Sequence, residues 1–199
     1  ADFLTTRQVR NTGEVAQVYV KDSHKGIIDK ETWNAVQEEF DRREKFMQKH
    51  GTDRYSYGSE CNPFCEKIFC GECGSLFTRH SWKSRGIIQW QCKNHRKDGK
   101  VACTNAYVDN ADLEKGFVKA FNRLAGEREK NMKRWNAMKA EGTPLEKIRA
   151  VQMMEATESG QLQKYVPEAA QLVLEEITIF GAKKYEFAFL EGSRVKVSV

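Results

Sequence analysis

The stretch FCGECGSLFTRHSWKSRGIIQWQC, residues 69–92, decides how this chain is read. It opens on Cys70-Gly71-Glu72-Cys73-Gly74, two thiols with two residues between them and glycine directly after the second. Thiolates so spaced converge on one tetrahedral ion, and the small residues let backbone amides turn toward the sulfurs. A second pair is needed after a hairpin. Cys92 and Cys103 provide it, with ten residues, KNHRKDGKVA, between them as a polar loop. Cys70, Cys73, Cys92 and Cys103 are therefore expected to bind a structural Zn2+, because four thiolates leave no position open for a catalytic water. Histidine also binds zinc, so His95 remains open as a rival to Cys92. Cys61 and Cys65 read as small buried hydrophobes.

Working outward, the short apolar runs KIF, LFTRH and IIQWQC between Pro63 and Val108 are broken by Gly71, Gly74 and Gly86, a strand–turn–strand pattern. Charge concentrates here. Residues 61–108 carry eight Lys and Arg against three Asp and Glu, while the segments on either side are nearly balanced. A basic field on a small module reads as a contact with a polyanion, most often phosphate. The candidate contacts are Arg79, His80, Lys83, Ser84, Arg85, Gln89, Lys93, Asn94, Arg96, Lys97 and Lys100. Lys and Arg neutralise phosphate, Ser and Asn position on it, and Arg or Gln reads base edges. Arg7, Arg10 and Asn11 in the polar N-terminal stretch form a second, weaker group. Trp90 is expected to pack beside the metal, and Trp82 is open between packing and exposure.

The rest of the chain predicts an α+β fold: a small helix–strand segment, a zinc β-ribbon, long helices with a short helical excursion, and closing antiparallel β-strands. Residues 1–48 form the first region, with a strand candidate at Val15–Val20. A helix over Lys30–Met47, capped by Asp29, docks through Trp33, Val36, Gln37 and Phe40. Residues 49–62 read as a linker. Residues 63–199 form a second region, with helices inserted at 111–174 and strands at 176–199. A long helix from Ala111 to about Ala140 carries Leu113, Phe117, Phe121, Leu124, Met132, Trp135 and Met138 on one stripe. Gly142 and Pro144 end it. A second helix runs from Leu145 to about Glu158, and Pro167 either kinks or starts a third. Met132, Trp135, Met138, Met153 and Met154 are open between core and partner surface. Alternation at Ile177, Ile179, Tyr185, Phe187, Phe189, Val195, Val197 and Val199 closes the chain as strands. No run of about 18 apolar residues and no basic-then-apolar leader occurs, so the expected compartment is the cytoplasm, whose reducing chemistry favours metal ligation over disulfides.

These residues resemble the large serine site-specific recombinases, the phage-integrase and transposon-resolvase type. Asn11-x-Gly13-Glu14, Tyr19-Val20, His24 and Ile27-Ile28-Asp29-Lys30-Glu31-Thr32-Trp33 with Val36-Gln37 look like the end of the family's recombinase domain. Phe69-Cys70-Gly71-x-Cys73-Gly74, Trp90-x-Cys92 and Cys103 look like its zinc-ribbon domain, and Ile177-Thr178-Ile179 with Phe189-x-x-Gly192 like its usual ending. The resemblance implies a C-terminal fragment that binds double-stranded DNA at an attachment site during DNA integration or excision of a mobile genetic element. It implies a parent enzyme cutting through a serine nucleophile in a Tyr-x-Arg-x-Ser setting, which this chain does not contain, and self-association of the full-length recombinase. His24 and Asp29 correspond to structural positions, not to an acid and base pair. The family's zinc domain projects a long antiparallel coiled coil; here Gly142 and Pro144 interrupt the helices, and no three uninterrupted heptads follow. A zinc-stabilised protein–protein interaction module is the alternative reading.

Overall fold

The structure is a computed structural model that describes residues 10–13, 16, 18, 20, 25–53, 55, 62–82, 86–97 and 100–199. The chain divides into two compact units, 1–30 and 31–199. In the first, the Asn11 side-chain oxygen accepts a hydrogen bond from the Gly13 amide at 3.0 Å, the turn expected at this cluster. The strand expected at Val15–Val20 falls largely outside the described residues, as do Arg7, His24, Cys61, Lys83, Ser84 and Arg85.

The second unit takes in helix α1 (Lys30–His50) from Glu31 on, although the sequence places a linker at 49–62. The reason is electrostatic. Sequence periodicity selects Trp33, Val36, Gln37 and Phe40 as the docking stripe, yet all four are exposed. The opposite face, with Ala35, Glu39 and Phe46 buried, meets the body instead. Arg42 pairs with Glu175 at 2.9 Å, Glu39 accepts from Arg149 at 3.1 Å, and Lys49 reaches Glu176 at 2.9 Å. The His50 ring stacks on Phe69 with centroids 3.6 Å apart. Periodicity counts apolar residues and so misses a face held by ion pairs.

Strands β1 (Ile68–Cys70), β7 (Leu174–Ile179), β8 (Lys184–Phe189) and β9 (Arg194–Ser198) form a four-stranded sheet in the order β1-β7-β8-β9. Its last three strands are antiparallel, as expected. The strand leading into the cysteine knuckle joins them in parallel, with Ile68 opposite Ile177 and Cys70 opposite Ile179. The closing sheet is therefore mixed. A second sheet has the order β2-β3-β6, from β2 (Phe77–Trp82), β3 (Ile87–Cys92) and β6 (Val108–Asp109).

The expected long helix is two, α2 (Asn110–Gly126) and α3 (Arg128–Glu141). Gly126 is a poor helix former, and the Asn131 side chain donates to the Leu124 carbonyl at 3.2 Å, satisfying an acceptor that the break sets free. Helix α4 (Pro144–Ala156) starts at a capping box: the Glu146 amide donates to the Thr143 hydroxyl, and the Thr143 amide donates to the Glu146 carboxylate at 2.8 Å. Pro167 starts α5 (Pro167–Val173) rather than kinking a longer helix. Helices α3 and α4 pack as a hairpin that buries Trp135, Ala150 and Met153, and Met132, Met138 and Met154 lie against the same core. Phe117 sits at its centre, ringed by Phe121, Tyr165, Phe187 and Phe189 with centroid distances of 5.8–6.4 Å. Among the described residues no helix is long and apolar enough to cross a membrane.

Glu176, 3 % exposed, holds α1 to the sheet. Burial alone pushes its carboxyl up, but the His50 ring, the Lys49 ammonium and the Arg194 guanidinium outweigh burial and hold it at about 2, below the ordinary 4.5. A lowered folded value contributes stability that is present above the unfolded value and is lost as pH falls through the folded one. Glu176→Gln is therefore expected to cost about 3 kcal/mol at neutral pH, with the gap to the wild type closing between about pH 4.5 and pH 2. Denaturant titrations of both chains across that range measure the gap. Comparing the pair removes the separate effect of acid on thiolate metal sites. A gap that does not narrow on acidification refutes the assignment.

Candidate metal centre and basic hairpins

The four cysteines named by spacing meet in space. Their sulfurs all lie within 4.8 Å of one another, with Cys70–Cys103 at 3.7 Å and Cys73–Cys92 at 3.4 Å. A tetrahedral ion with bonds of about 2.3 Å requires sulfurs about 3.8 Å apart, so the donor set fits zinc in size and in chemistry. Each half of the site is a tight turn. The Gly74 amide donates to the Cys70 carbonyl and the His95 amide to the Cys92 carbonyl, both at 2.9 Å. Gly74 takes a positive φ of 72°, open to glycine at little cost.

Amide groups converge on the sulfurs from outside. Burial raises the Cys73 thiol, but the Ser75 amide and hydroxyl and the neighbouring Cys92 bring it down to about 7. Cys103 is driven up to about 11 by burial, against the Asn105 amide. Cys92 is driven up by burial and by Cys73, against the Asn94 amide. Such N–H donors compensate the negative charge that four thiolates gather around a divalent ion.

The wide gap between Cys92 and Cys103 is not the polar loop that sequence suggests. It folds into a two-stranded hairpin of β4 (Arg96–Lys97) and β5 (Lys100–Val101), with Arg96 opposite Val101 and Lys97 opposite Lys100. The Ala102 amide then donates to the His95 carbonyl at 3.0 Å, which brings Cys103 back beneath Cys92. His95, the rival ligand, bonds the Cys103 carbonyl through Nδ1 at 3.0 Å and packs edge-on against Tyr107. It is not part of the four-sulfur group. Cys65 is half-buried and also stands outside it.

Two residues at the centre carried no sequence signal. Glu72 lies within the first knuckle, its carboxylate 3.6 Å from the Cys103 sulfur. Asn105 is buried and donates to the Cys70 sulfur at 3.1 Å. Lying inside or two residues beyond a ligand is too common a position to single either out.

The candidate nucleic-acid residues divide between surfaces. In the β2–β3 hairpin, His80 faces Gln89 and Trp82 faces Ile87 on the outer side, with Trp82 exposed. Arg79 projects from the other side, opposite Trp90, which is buried and donates to Asn110 at 3.0 Å. Residues two apart share a strand face, so Arg79 and His80 present to different sides. Gln89 donates to Asp109 at 2.8 Å and Asn94 to the Ser75 hydroxyl, so both have structural roles. Lys93, Arg96 and Lys100 are exposed on the second knuckle and the β4–β5 hairpin, where Lys97 also lies. Arg10, exposed, and Asn11 belong to the separate first unit.

A four-cysteine cluster at the mouth of a β-hairpin is compatible with a zinc-ribbon type of module. Residues 63–122 match the family model described as the recombinase zinc beta ribbon domain, which supports the resemblance to the C-terminal zinc-ribbon region of serine recombinases. The match takes in all four cysteines and both hairpins. Neither curated proteins nor solved structures returned a match to the chain.

Proposed function

We propose that this chain is a targeting module of a serine site-specific recombinase, binding double-stranded DNA sequence-specifically at an attachment site around a structural zinc. The observation that carries the reading is the recombinase zinc-ribbon match laid over a four-sulfur cluster whose spacing suits tetrahedral zinc. Cys70, Cys73, Cys92 and Cys103 hold the ion; all four positions are filled by protein, so the ion supplies rigidity and no chemistry of its own. Arg79, Lys83, Lys93, Arg96, Lys97 and Lys100 supply phosphate contacts, Ser84 positions on phosphate, and Arg85 reads base edges. Cutting and rejoining of DNA belong to a serine domain elsewhere in the parent enzyme, which works in the cytoplasm and self-associates.

Contacts of this kind release counterions. Affinity for duplex DNA is expected to fall by orders of magnitude between roughly 50 and 200 mM salt, with a log–log slope of about −0.9 per phosphate neutralised. Arg96→Glu with Lys100→Glu is expected to weaken binding and flatten that slope by about two contacts, read by fluorescence anisotropy on duplexes selected from a random pool. No binding at low salt by metal-loaded protein refutes the reading.

A protein-interaction module is the second reading, favoured by the exposed Trp33, Val36 and Phe40 on one face of α1. Under it, partner binding is nearly insensitive to salt, and Phe40→Asp abolishes it while Arg96→Glu does not.

A further inference from the structure

Asn105 reaches the metal centre and the four-stranded sheet at once. It is 2 % exposed, and every polar atom of its side chain has a partner. Nδ2 donates one hydrogen to the Cys70 sulfur at 3.1 Å and the other to the Ile179 carbonyl at 2.8 Å, while Oδ1 accepts from the Ala106 amide at 2.9 Å. Its backbone amide also donates to the Cys103 sulfur. One residue therefore touches a sulfur from each half of the cluster and the last carbonyl of β7.

The same carbonyl takes a second hydrogen bond, from the Gly71 amide at 2.8 Å, so the first knuckle and the end of β7 are joined twice. The approach is close enough to require glycine: a Cβ on Gly71 meets the Ile179 oxygen at 3.0 Å and the Phe180 ring at 2.5 Å. Beyond Ile179 the chain turns into β8, the Phe180 amide donating to the Lys184 carbonyl at 3.0 Å.

We infer that Asn105 is a positioning residue that transmits metal occupancy to the four-stranded sheet, so that the β7–β8 end of that sheet is locked only while the four sulfurs are held together. The chain of contacts is direct. The metal fixes the Cys70 sulfur, the sulfur fixes the Asn105 amide, and the amide fixes Ile179 and the turn after it. A buried side-chain amide with all its partners made allows only one arrangement of the groups it joins. The inference rests on the reading that the cysteine cluster holds zinc.

The test uses the zinc-loaded full chain. Asn105→Ala and Asn105→Asp are expected to lower zinc affinity 10–100-fold in chelator competition, the usual effect of losing a hydrogen bond to a ligand. Asn122→Ala, which removes a side-chain amide bonded to the Leu162 backbone and to none of the residues around the sulfurs, is expected to change it far less. Amide exchange at Gly71 and Phe180 should rise in the Asn105 variants with zinc still bound. An arm without variants protects the test against misfolding. Chelating the wild type should raise exchange at Gly71 and Phe180 more than tenfold before it does so at Leu190, whose amide bonds the Val173 carbonyl at the far end of the sheet. Wild-type zinc affinity in Asn105→Ala, or exchange that rises equally at both ends on chelation, overturns the inference and leaves the metal reading standing. A wild-type chain that takes up no stoichiometric zinc overturns both.

Discussion

Serine in place of Cys70 or of Cys103 is expected to abolish stoichiometric zinc binding and to melt the β2-β3-β6 ribbon, while serine at Cys65 leaves both intact. The three thiols differ in where they stand. Cys70 and Cys103 are buried with sulfurs 3.7 Å apart inside the four-sulfur group, and Cys65 lies outside it. The effect is large because the ribbon has little else to hold it. Among the described residues its own buried apolar side chains are essentially Phe77, Trp90 and Val108, with Cys70, Cys92 and Cys103 buried and Cys73 exposed. A structural zinc site supplies on the order of 10 kcal/mol to a small domain, more than such a core gives. Metal content by mass spectrometry and a near-ultraviolet melt read both halves of the expectation. His95→Ala belongs in the same series and should retain zinc, since its ring is spent on the Cys103 carbonyl. Equal zinc loss at Cys65, Cys70 and Cys103, or loss at His95 alone, refutes the ligand set.

Phe117→Ala is expected to cost about 3–5 kcal/mol, the usual range for removing a buried aromatic ring. Phe117 is fully buried, and four aromatic rings from α2, β8 and the segment before α5 close around it. None can fill the gap without leaving its own contacts, so the cavity term adds to the lost transfer energy. Against a total stability of roughly 5–15 kcal/mol, that loss leaves the helical and sheet core close to unfolding. Trp82→Ala removes a larger ring from an exposed hairpin position and is expected to change stability by less than about 0.5 kcal/mol. Urea unfolding followed by tryptophan fluorescence compares the two, with Trp90 and Trp135 as buried reporters. A Phe117→Ala cost below about 1 kcal/mol contradicts the packing described.

Local chemistry accounts for what is legible in the sequence. Cys70-x-x-Cys73 stands out because two thiols at that spacing converge on one tetrahedral ion, whereas the ten residues between Cys92 and Cys103 leave His95 open as a rival. Thr143-Pro144-x-Glu146 marks a helix start because the hydroxyl, the ring and the carboxylate act within one turn. The strands at the end of the chain follow from side-chain alternation along each strand. The break between α2 and α3, with the Asn131 bond to Leu124, is hidden in the sequence because the stripe through Leu113, Phe117 and Leu124 resumes at Met132 and Trp135 with only Arg128 interrupting it. The docking face of α1 is hidden for a related reason: Glu39, Arg42 and Lys49 look like solvated charges until Arg149, Glu175 and Glu176 arrive from distant segments.

The sequence alone singled out Cys70, Cys73, Cys92 and Cys103, with His95 open beside Cys92, together with the basic character of the segment around them and its strand–turn–strand pattern, since each is carried by residue type and spacing. Only the tertiary structure decided that β1 pairs in parallel with β7, more than a hundred residues away, and that Asn105 joins the sulfur cluster to that sheet. It also placed Arg79 and His80 on opposite sides of one hairpin. Backbone donors carry no mark of their partners, and a single asparagine has no periodicity, so contacts across such distances are set by the closing of the fold around a shared core.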